Sequence, residues 1–407
     1  VITWRNGTVW RIRKEWPGAL ELEVSVGREP SAQVTALAYP ALTGRPEPGD
    51  RVLLNTTALD LGLGTGGYAL VVAVPDRLPP DRSGPGHLVK ARYTPLQAVV
   101  LGADEQDSPY HETLRSADDI AAMPVVVADL HSALAPVLAG LYHDAERAAG
   151  DRSPAGDAGW PEEASPGVPG VPGASSTGRA GQGPGPAGVR VAYVMTDGGA
   201  LPAWFSRTCA ILREAGWLAG TITVGQAFGG DLEAVTLHSG LLAARHVLGA
   251  DVAVVTQGPG NLGTGTRWGF SGVAAGEAVN AVAVLAGLPV AALRVSEADP
   301  RGRHRGISHH SLTSYGRVAL ARAEVVVPIL PGELGAQVTE QARPLGGRHT
   351  LVHVAVDGLD EALRRCPAPL STMGRGLDGD RAYFLAAAAA GRHAAVHLRS
   401  ATMGRLH

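Results

Sequence analysis

Lysine is nearly missing from this chain: of 35 basic residues only Lys14 and Lys90 are lysines, and arginine carries the rest of the positive charge. A swinging-arm carrier is thereby excluded, because lipoyl- and biotinyl-type barrels need a modifiable lysine at a hairpin tip and the glycine-rich stretch at 57–67 contains none. Cysteine is equally sparse. Cys209 and Cys366 fit no disulfide framework or zinc spacing and read as buried thiols of a reducing compartment. The formal net charge of -3 exerts no global pull toward nucleic acid. The longest apolar run, 278–293, is interrupted by Asn280, Gly287 and Pro289, which suits helix, turn and strand and excludes a membrane span. The opening residues show no basic-then-apolar signal pattern, so a cytoplasmic protein with no membrane partner is expected.

The 407 residues are enough for two or three domains. Residues 2–75 alternate in β fashion at 8–13 and 19–26, with apolar strands at 51–54 and 68–74 and turn signals at 16–18 and 46–50. Short strands at that spacing predict a small β-barrel or sandwich, placed at 1–98. Trp4, Trp10 and Trp16 among Arg5, Arg11, Arg13 and Lys14 could form a nucleic-acid face, but aromatic core with solvated arginines is the preferred reading.

Beyond residue 122 the period changes to alternating strands and helices. Strands are expected at 125–129, 189–195, 221–225, 251–256, 289–295, 324–328 and 349–355. Helices are expected near 131–149, 202–217, 231–248, 270–286, 311–322, 333–342, 358–365 and 379–396. This alternation predicts a doubly wound, mostly parallel α/β sheet over 122–396. Residues 150–188 are almost wholly Gly, Pro, Ala and Ser and read as a disordered linker inserted within that domain.

Ligands of open parallel sheets bind outside the carboxyl ends of the strands, so the residues just past each strand are the informative ones. The fourth α/β strand runs into Gln257-Gly-Pro-Gly-Asn-Leu-Gly-Thr-Gly-Thr266, ahead of an Ala/Val-rich helix. Strand, glycine-rich loop and helix present backbone N–H groups to an anion, and Gly258, Gly260, Asn261, Gly263, Thr264, Gly265 and Thr266 are candidate ligand contacts. The loop lacks the Gly-Lys-Ser/Thr ending of a P-loop and the spacing of a dinucleotide fold. Gly198 and Gly199 come directly after Asp197, and Gly229 and Gly230 precede Asp231. Arg294, Arg301 and Arg303 lie in a segment with more arginine than a solvated loop needs and fit planar recognition of phosphate or carboxylate. Asp129 and Asp231 read first as helix N-caps, and His238 as a core or helix-surface histidine.

Catalytic candidates are Asp197 as general base, with His309 or His131 as acid–base partner. Asp129, His131, Asp197 and His309 could form a mixed carboxylate–imidazole site. No spacing demands it, and a divalent metal is not the favoured cofactor. His309 and His310 are adjacent and precede a helix expected to start at Ser311, so they are not expected to face one metal together and at most one is expected to be catalytic.

Leu54-Asn-Thr-Thr-Ala-Leu-Asp-Leu-Gly-Leu-Gly-Thr-Gly-Gly-Tyr68, Ala91-Arg-Tyr-Thr-Pro-Leu-Gln97, Met195-Thr-Asp-Gly-Gly-Ala-Leu-Pro202, Ala227-Phe-Gly-Gly-Asp231 and Gly306-Ile-Ser-His-His310 resemble an uncharacterised bacterial domain-of-unknown-function family, numbered 3866. The resemblance spans nearly the whole chain outside 150–188. It implies a cytoplasmic bacterial protein and assigns no reaction or site residue. From the residues, the leading expectation is an enzyme that binds a phosphorylated or otherwise anionic small molecule and hydrolyses it or transfers a group. A non-catalytic sensor of a nucleotide-like ligand is the alternative, and a nucleic-acid-binding barrel, disfavoured by the charge, is the third. Homo-oligomerisation is left open.

Overall fold

The structure is a computed structural model that describes residues 1–27, 32–64, 66–150 and 183–403. Most of the linker expected at 150–188 lies outside the described residues.

The N-terminal strands β1 (Trp4–Trp16), β2 (Ala19–Val26), β3 (Ala32–Ala38), β4 (Arg51–Asn55) and β5 (Ala69–Ala73) close into a barrel of order β1-β2-β3-β5-β4. Closure needs curvature, and β1 supplies it through register shifts between Val9 and Arg11 and between Ile12 and Lys14. Leu20, Leu22 and Val24 alternate inward against Val9, Ala36, Val52, Leu54 and Val71. Glu21 and Glu23 point the other way, to Arg13 and Arg11. Further ion pairs join Arg5 to Asp60, Arg45 to Glu15 and Arg51 to Asp76. The barrel's positive charge is therefore largely neutralised in place. Trp4 and Trp10 are exposed, whereas Trp16 donates its indole N–H to the Trp204 carbonyl (2.7 Å) and lies under the Arg207 guanidinium. Tyr39 against Trp204 and Tyr68 against Phe205 complete an aromatic seam between the barrel and the loop after the second sheet strand.

A hairpin of β6 (Leu88–Lys90) and β7 (Ala98–Val100) comes after the barrel. It reads poorly from sequence because strands this short carry no period. Beyond it lie β8 (Pro124–Val127), β9 (Val191–Thr196), β10 (Gly220–Thr223), β11 (Leu232–Glu233), β12 (Val252–Gln257) and β13 (Leu288–Ala292). A two-residue ribbon, β14 (Val295–Ser296) with β15 (Gly306–Ile307), precedes β16 (Glu324–Ile329) and β17 (Thr350–Ala355). All eight main strands form one parallel sheet, ordered β11-β10-β9-β12-β8-β13-β16-β17. The doubly wound expectation holds. One difference is that 232–233 pair as an edge strand, so the helix expected from 231 begins at Leu237, capped by Thr236.

Helices Leu134–Gly150 and Arg381–Met403 pack together over one side of the sheet, and Leu237–His246 and Ala274–Val284 over the other. The first pair touches backbone to backbone: a Cβ at Gly140 would fall 1.9 Å from the Ala388 carbonyl oxygen, and one at Gly391 would fall 1.8 Å from that of Val137. The alanine run 386–390 is buried at this crossing.

Lys90 fixes the hairpin to the sheet. It is fully buried, and its ammonium donates to the carbonyls of Gly225, Ala227 and Ala234 at 2.8–2.9 Å, with Glu233 at 3.6 Å. Three carbonyl acceptors require all three ammonium protons, so Lys90 stays charged although burial pushes its pKa down. Ala103 donates to the Glu233 carbonyl (2.7 Å), which covers the β11 edge.

Candidate functional site at the switch point of the sheet

From β8 the chain winds outward through β9, β10 and β11, returns to β12 beside β8, and then winds the other way through β13, β16 and β17. The crevice where direction reverses lies at the carboxyl ends of β8 and β12, where Asp129 and Gln257 emerge. The five strands whose ends were expected to matter (β10, β9, β12, β8, β13) are consecutive neighbours in the sheet.

Asp129 is buried and caps no helix; its Oδ2 has no hydrogen-bond partner among the described residues. The buried Gln257 donates through Nε2 to the Asp129 carbonyl and to Asn261 Oδ1 (3.0 Å each), and its Oε1 is without a partner. Gly272, at the start of the next helix, lies so close that a Cβ would meet the Asp129 carbonyl oxygen at 2.9 Å. Between these groups is a cavity of about 10 Å³, room for a single water.

The third side of the crevice is built by the segment after β13. The β14–β15 ribbon turns the chain back, and Ser308 caps a short helix that starts at His309. Side chains at a helix start tilt toward its N-terminus, which here is the side where His304 sits. His304, His309 and His310 therefore each bring one ring nitrogen within 4.8 Å of the others. The expectation that the adjacent pair His309 and His310 cannot face one metal together is corrected by this geometry. Phe270, from the end of the glycine-rich loop, stacks flat on His310 (centroids 3.8 Å, planes 1° apart). His310 Nδ1 lies 3.7 Å from the partnerless Asp129 Oδ2, and His304 Nδ1 is hydrogen-bonded to Ser308 Oγ (2.7 Å). His309 Nε2 is buried and has no hydrogen-bond partner among the described residues. Burial, then nearby arginines and His310, lowers His304 to about 3. Burial, then His310 and Arg303, lowers His309 to about 4, so both rings are neutral near pH 7.

A layer of buried ion pairs supports the cluster. Asp299 takes Arg301 in two-pronged fashion (2.8 and 2.9 Å), with Arg294 and Arg375 each at 3.7 Å. Hydrogen bonding to Arg301 holds its carboxyl far below the usual range. Arg375 also pairs with Asp380, which accepts from Ser296 (2.7 Å). Arg294 and Arg301 are thus already engaged by carboxylate, whereas the exposed Arg303 has no ion pair or hydrogen bond among the described residues and lies beside Gly265.

The remaining candidates divide. Gly198 adjoins the site, since a Cβ there would come within 2.5 Å of Gln257 Oε1, and Gly199 and Gly258 pack backbone to backbone beside it. The loop folds on itself as a ribbon exposed over 262–268, with Thr264 N–H donating to the Gly269 carbonyl and the Thr264 and Thr266 hydroxyls 3.1 Å apart. Gly260 and Gly265 take positive φ in this loop. Asp197 is exposed and accepts the Gln226 N–H (2.8 Å), on the β10 side. Gly229 packs under Trp204, and Gly230 donates to Thr223, so both serve the barrel seam and the sheet edge. Asp231 is a correction: it caps no helix and instead binds Thr221 and Arg213. His238 is on the helix surface. His131 faces inward, its two nitrogens bonded to Tyr193 (2.9 Å) and Ser206 (2.7 Å), and burial lowers it to about 4. Cys209 is buried and its thiol is pushed up to about 12, chiefly by desolvation. Sequence reasoning did not single out Gln257 Oε1, Asp299, Arg375 or Asp380. Only the histidine density of 304–310 signalled the full imidazole set.

Fold and site together define a barrel-bearing, doubly wound α/β protein with an imidazole-rich crevice at its switch point. A family described as a protein of unknown function (DUF3866) matches residues 35–150 and 181–391, and the chain belongs to it. No curated protein and no solved structure matches the chain. No helix among the described residues is long and apolar enough to cross a membrane.

Proposed function

We propose that the crevice binds an anionic small molecule and hydrolyses it or transfers a group from it. The observation that carries this reading is that three buried polar atoms without hydrogen-bond partners among the described residues, Asp129 Oδ2, Gln257 Oε1 and His309 Nε2, belong to the segments that follow β8, β12 and β13, neighbouring strand ends at the switch point of a parallel sheet. Folding alone penalises such atoms, and in this position a ligand is the natural partner. Arg294, Arg301, Arg303 and Arg375 outnumber Asp129, Asp299 and Asp380 around it, which favours a negative ligand. Since the inner cavity has room only for a single water, the ligand sits at the outer lip, where Arg303 lies beside Gly265 and close to the half-exposed His309. Neutral His309 serves there as acid–base group, and Asp129 is the buried carboxylate that faces the neighbouring His310 ring at 3.7 Å and orients it.

A specific contact favours the sensor reading as the alternative. The barrel holds Trp204, seven residues beyond Asp197, so a change at Gly198 has a short path to the barrel. The nucleic-acid reading finds little support in a barrel whose arginines are paired with carboxylates.

Thermal unfolding with inorganic phosphate, nucleotides and sugar phosphates tests the proposal. A true ligand at a hundred times its Kd stabilises the fold by about 2.7 kcal/mol, and Arg303→Ala is expected to remove most of that gain. No stabilisation by any of these anions would overturn the reading. Ligand binding with no turnover of the bound compound, in wild type and His309→Gln alike, would shift it to the sensor.

A further inference from the structure

We infer that His304, His309 and His310 hold a divalent transition-metal ion of the zinc class, leaving an open position toward the lip of the crevice. One nitrogen of each of the three rings lies within 4.8 Å of the others, within side-chain reach of a shared ion. The nitrogens that face away already have orienting neighbours, as ligating histidines require. His304 Nδ1 is held by Ser308 Oγ, and His310 Nδ1 lies between the Arg294 guanidinium (3.5 Å) and the Asp129 carboxylate (3.7 Å) while Phe270 fixes its plane. That leaves Nε2 of each ring to meet the partnerless Nε2 of His309. Neutral imidazole is the ligand form, and a three-histidine set with a vacant position is the ligand count of a catalytic zinc centre, with other borderline divalent ions as competitors. No thiolate is near to close the site into a structural one; Cys209 and Cys366 lie elsewhere in the fold, Cys209 beside Ser206 and Cys366 beside Ala135.

The proposal deepens the anion-binding reading and rests on it for what the ion does. Asp299 and Asp380 are already matched by Arg294, Arg301 and Arg375, so a doubly charged ion adds uncompensated positive charge at the lip. An anionic ligand or a bound hydroxide supplies the balance. Asp129 then acts as the outer-shell carboxylate of His310.

The test is a Co2+ titration of the full chain after chelator treatment, followed by visible absorption, with Zn2+ competition by calorimetry. One equivalent with the intense visible bands of low-coordinate cobalt is expected. His309→Gln should weaken binding by about a hundredfold and Asp129→Asn by about tenfold. His309 has no hydrogen bond at Nε2 to lose, so its variant should fold and unfold like wild type; His304→Gln is the confirming second variant. The absence of Co2+ and Zn2+ binding overturns the inference. Binding that survives His309→Gln but is lost in His393→Gln also overturns it, because it moves the ion to a different cluster. Phosphate titration of the stripped and loaded chain separates the two readings. Phosphate bound by a chain that takes up neither Co2+ nor Zn2+ sinks this inference alone, whereas metal bound without phosphate sinks the anion reading and leaves the metal centre standing.

Discussion

Two clusters in this protein bring histidines within reach of one another, and they differ in what surrounds them. At the amino end of β16, Glu324 Oε2 accepts from both His393 and His397 at 2.6 Å, one helical turn apart on the C-terminal helix. Every named group there has its partner. At the opposite edge of the sheet, His304, His309 and His310 meet beside atoms that have none. Proximity of histidines is shared, so it distinguishes nothing. What separates a strut from a candidate site is the unsatisfied remainder, because a fold optimised only for stability does not leave buried acceptors empty.

The largest effect is expected from the layer beneath the edge cluster. Asp299→Ala would strand the buried Arg294 guanidinium, and loss of a buried ionic partner costs about 3–5 kcal/mol, measurable as a lower denaturant midpoint. A loss under about 1 kcal/mol, the scale of an exposed pair, would mean that the layer is not structural and that the cluster lacks a rigid floor.

His131 provides a third histidine environment, satisfied on both nitrogens yet held neutral. Its pKa in the fold, about 4, is below the ordinary 6.5, so the unfolded chain takes up the extra proton. Its contribution is fully present above about pH 6.5 and drains away as pH falls to about 4, to a total of about 3 kcal/mol at 1.36 kcal/mol per pH unit. His131→Gln should flatten the stability profile across that window. An unchanged profile would place the acid sensitivity elsewhere.

Next in size, Glu324→Ala should cost about 1–3 kcal/mol, since His393 is buried and loses its acceptor. The smallest stability effect is expected at the edge. Asp129→Asn replaces a buried, unpaired carboxylate oxygen and should be neutral or stabilising by up to about 1 kcal/mol while weakening metal and anion binding. If Asp129→Asn destabilises as much as Glu324→Ala, the contrast between strut and site collapses.

Sheet and barrel were legible in the sequence wherever side-chain period does the work. The Val-rich runs 125–127, 252–255 and 325–327 announce strands buried on both faces, and Leu20, Leu22 and Val24 announce a barrel wall. Parts of the site were legible for the same reason, since Asp129, Gly198, Gly258, Arg294 and His309 come after recognisable strand ends. The parts that stayed hidden depend on tertiary meetings without local period. The two-residue β14–β15 ribbon swings His304 back to His309, Phe270 arrives from another loop to stack on His310, and Asp299 gathers arginines from 294, 301 and 375. Asp197 shows the limit of motif reading: its exposed carboxylate accepts the Gln226 N–H on the β10 side, a tertiary contact that the Asp-Gly-Gly spacing does not announce.

The chain's two lysines have opposite fates, and this makes the molecule its own reporter. Lys14 is exposed on the barrel, whereas Lys90 is sealed behind three carbonyls that join the hairpin to the sheet. An amine-reactive reagent should therefore acylate one lysine side chain in the native protein and the second only when the hairpin lifts from the sheet edge. Intact-mass counting of those two events would time the release of the hairpin from the sheet without any engineered label.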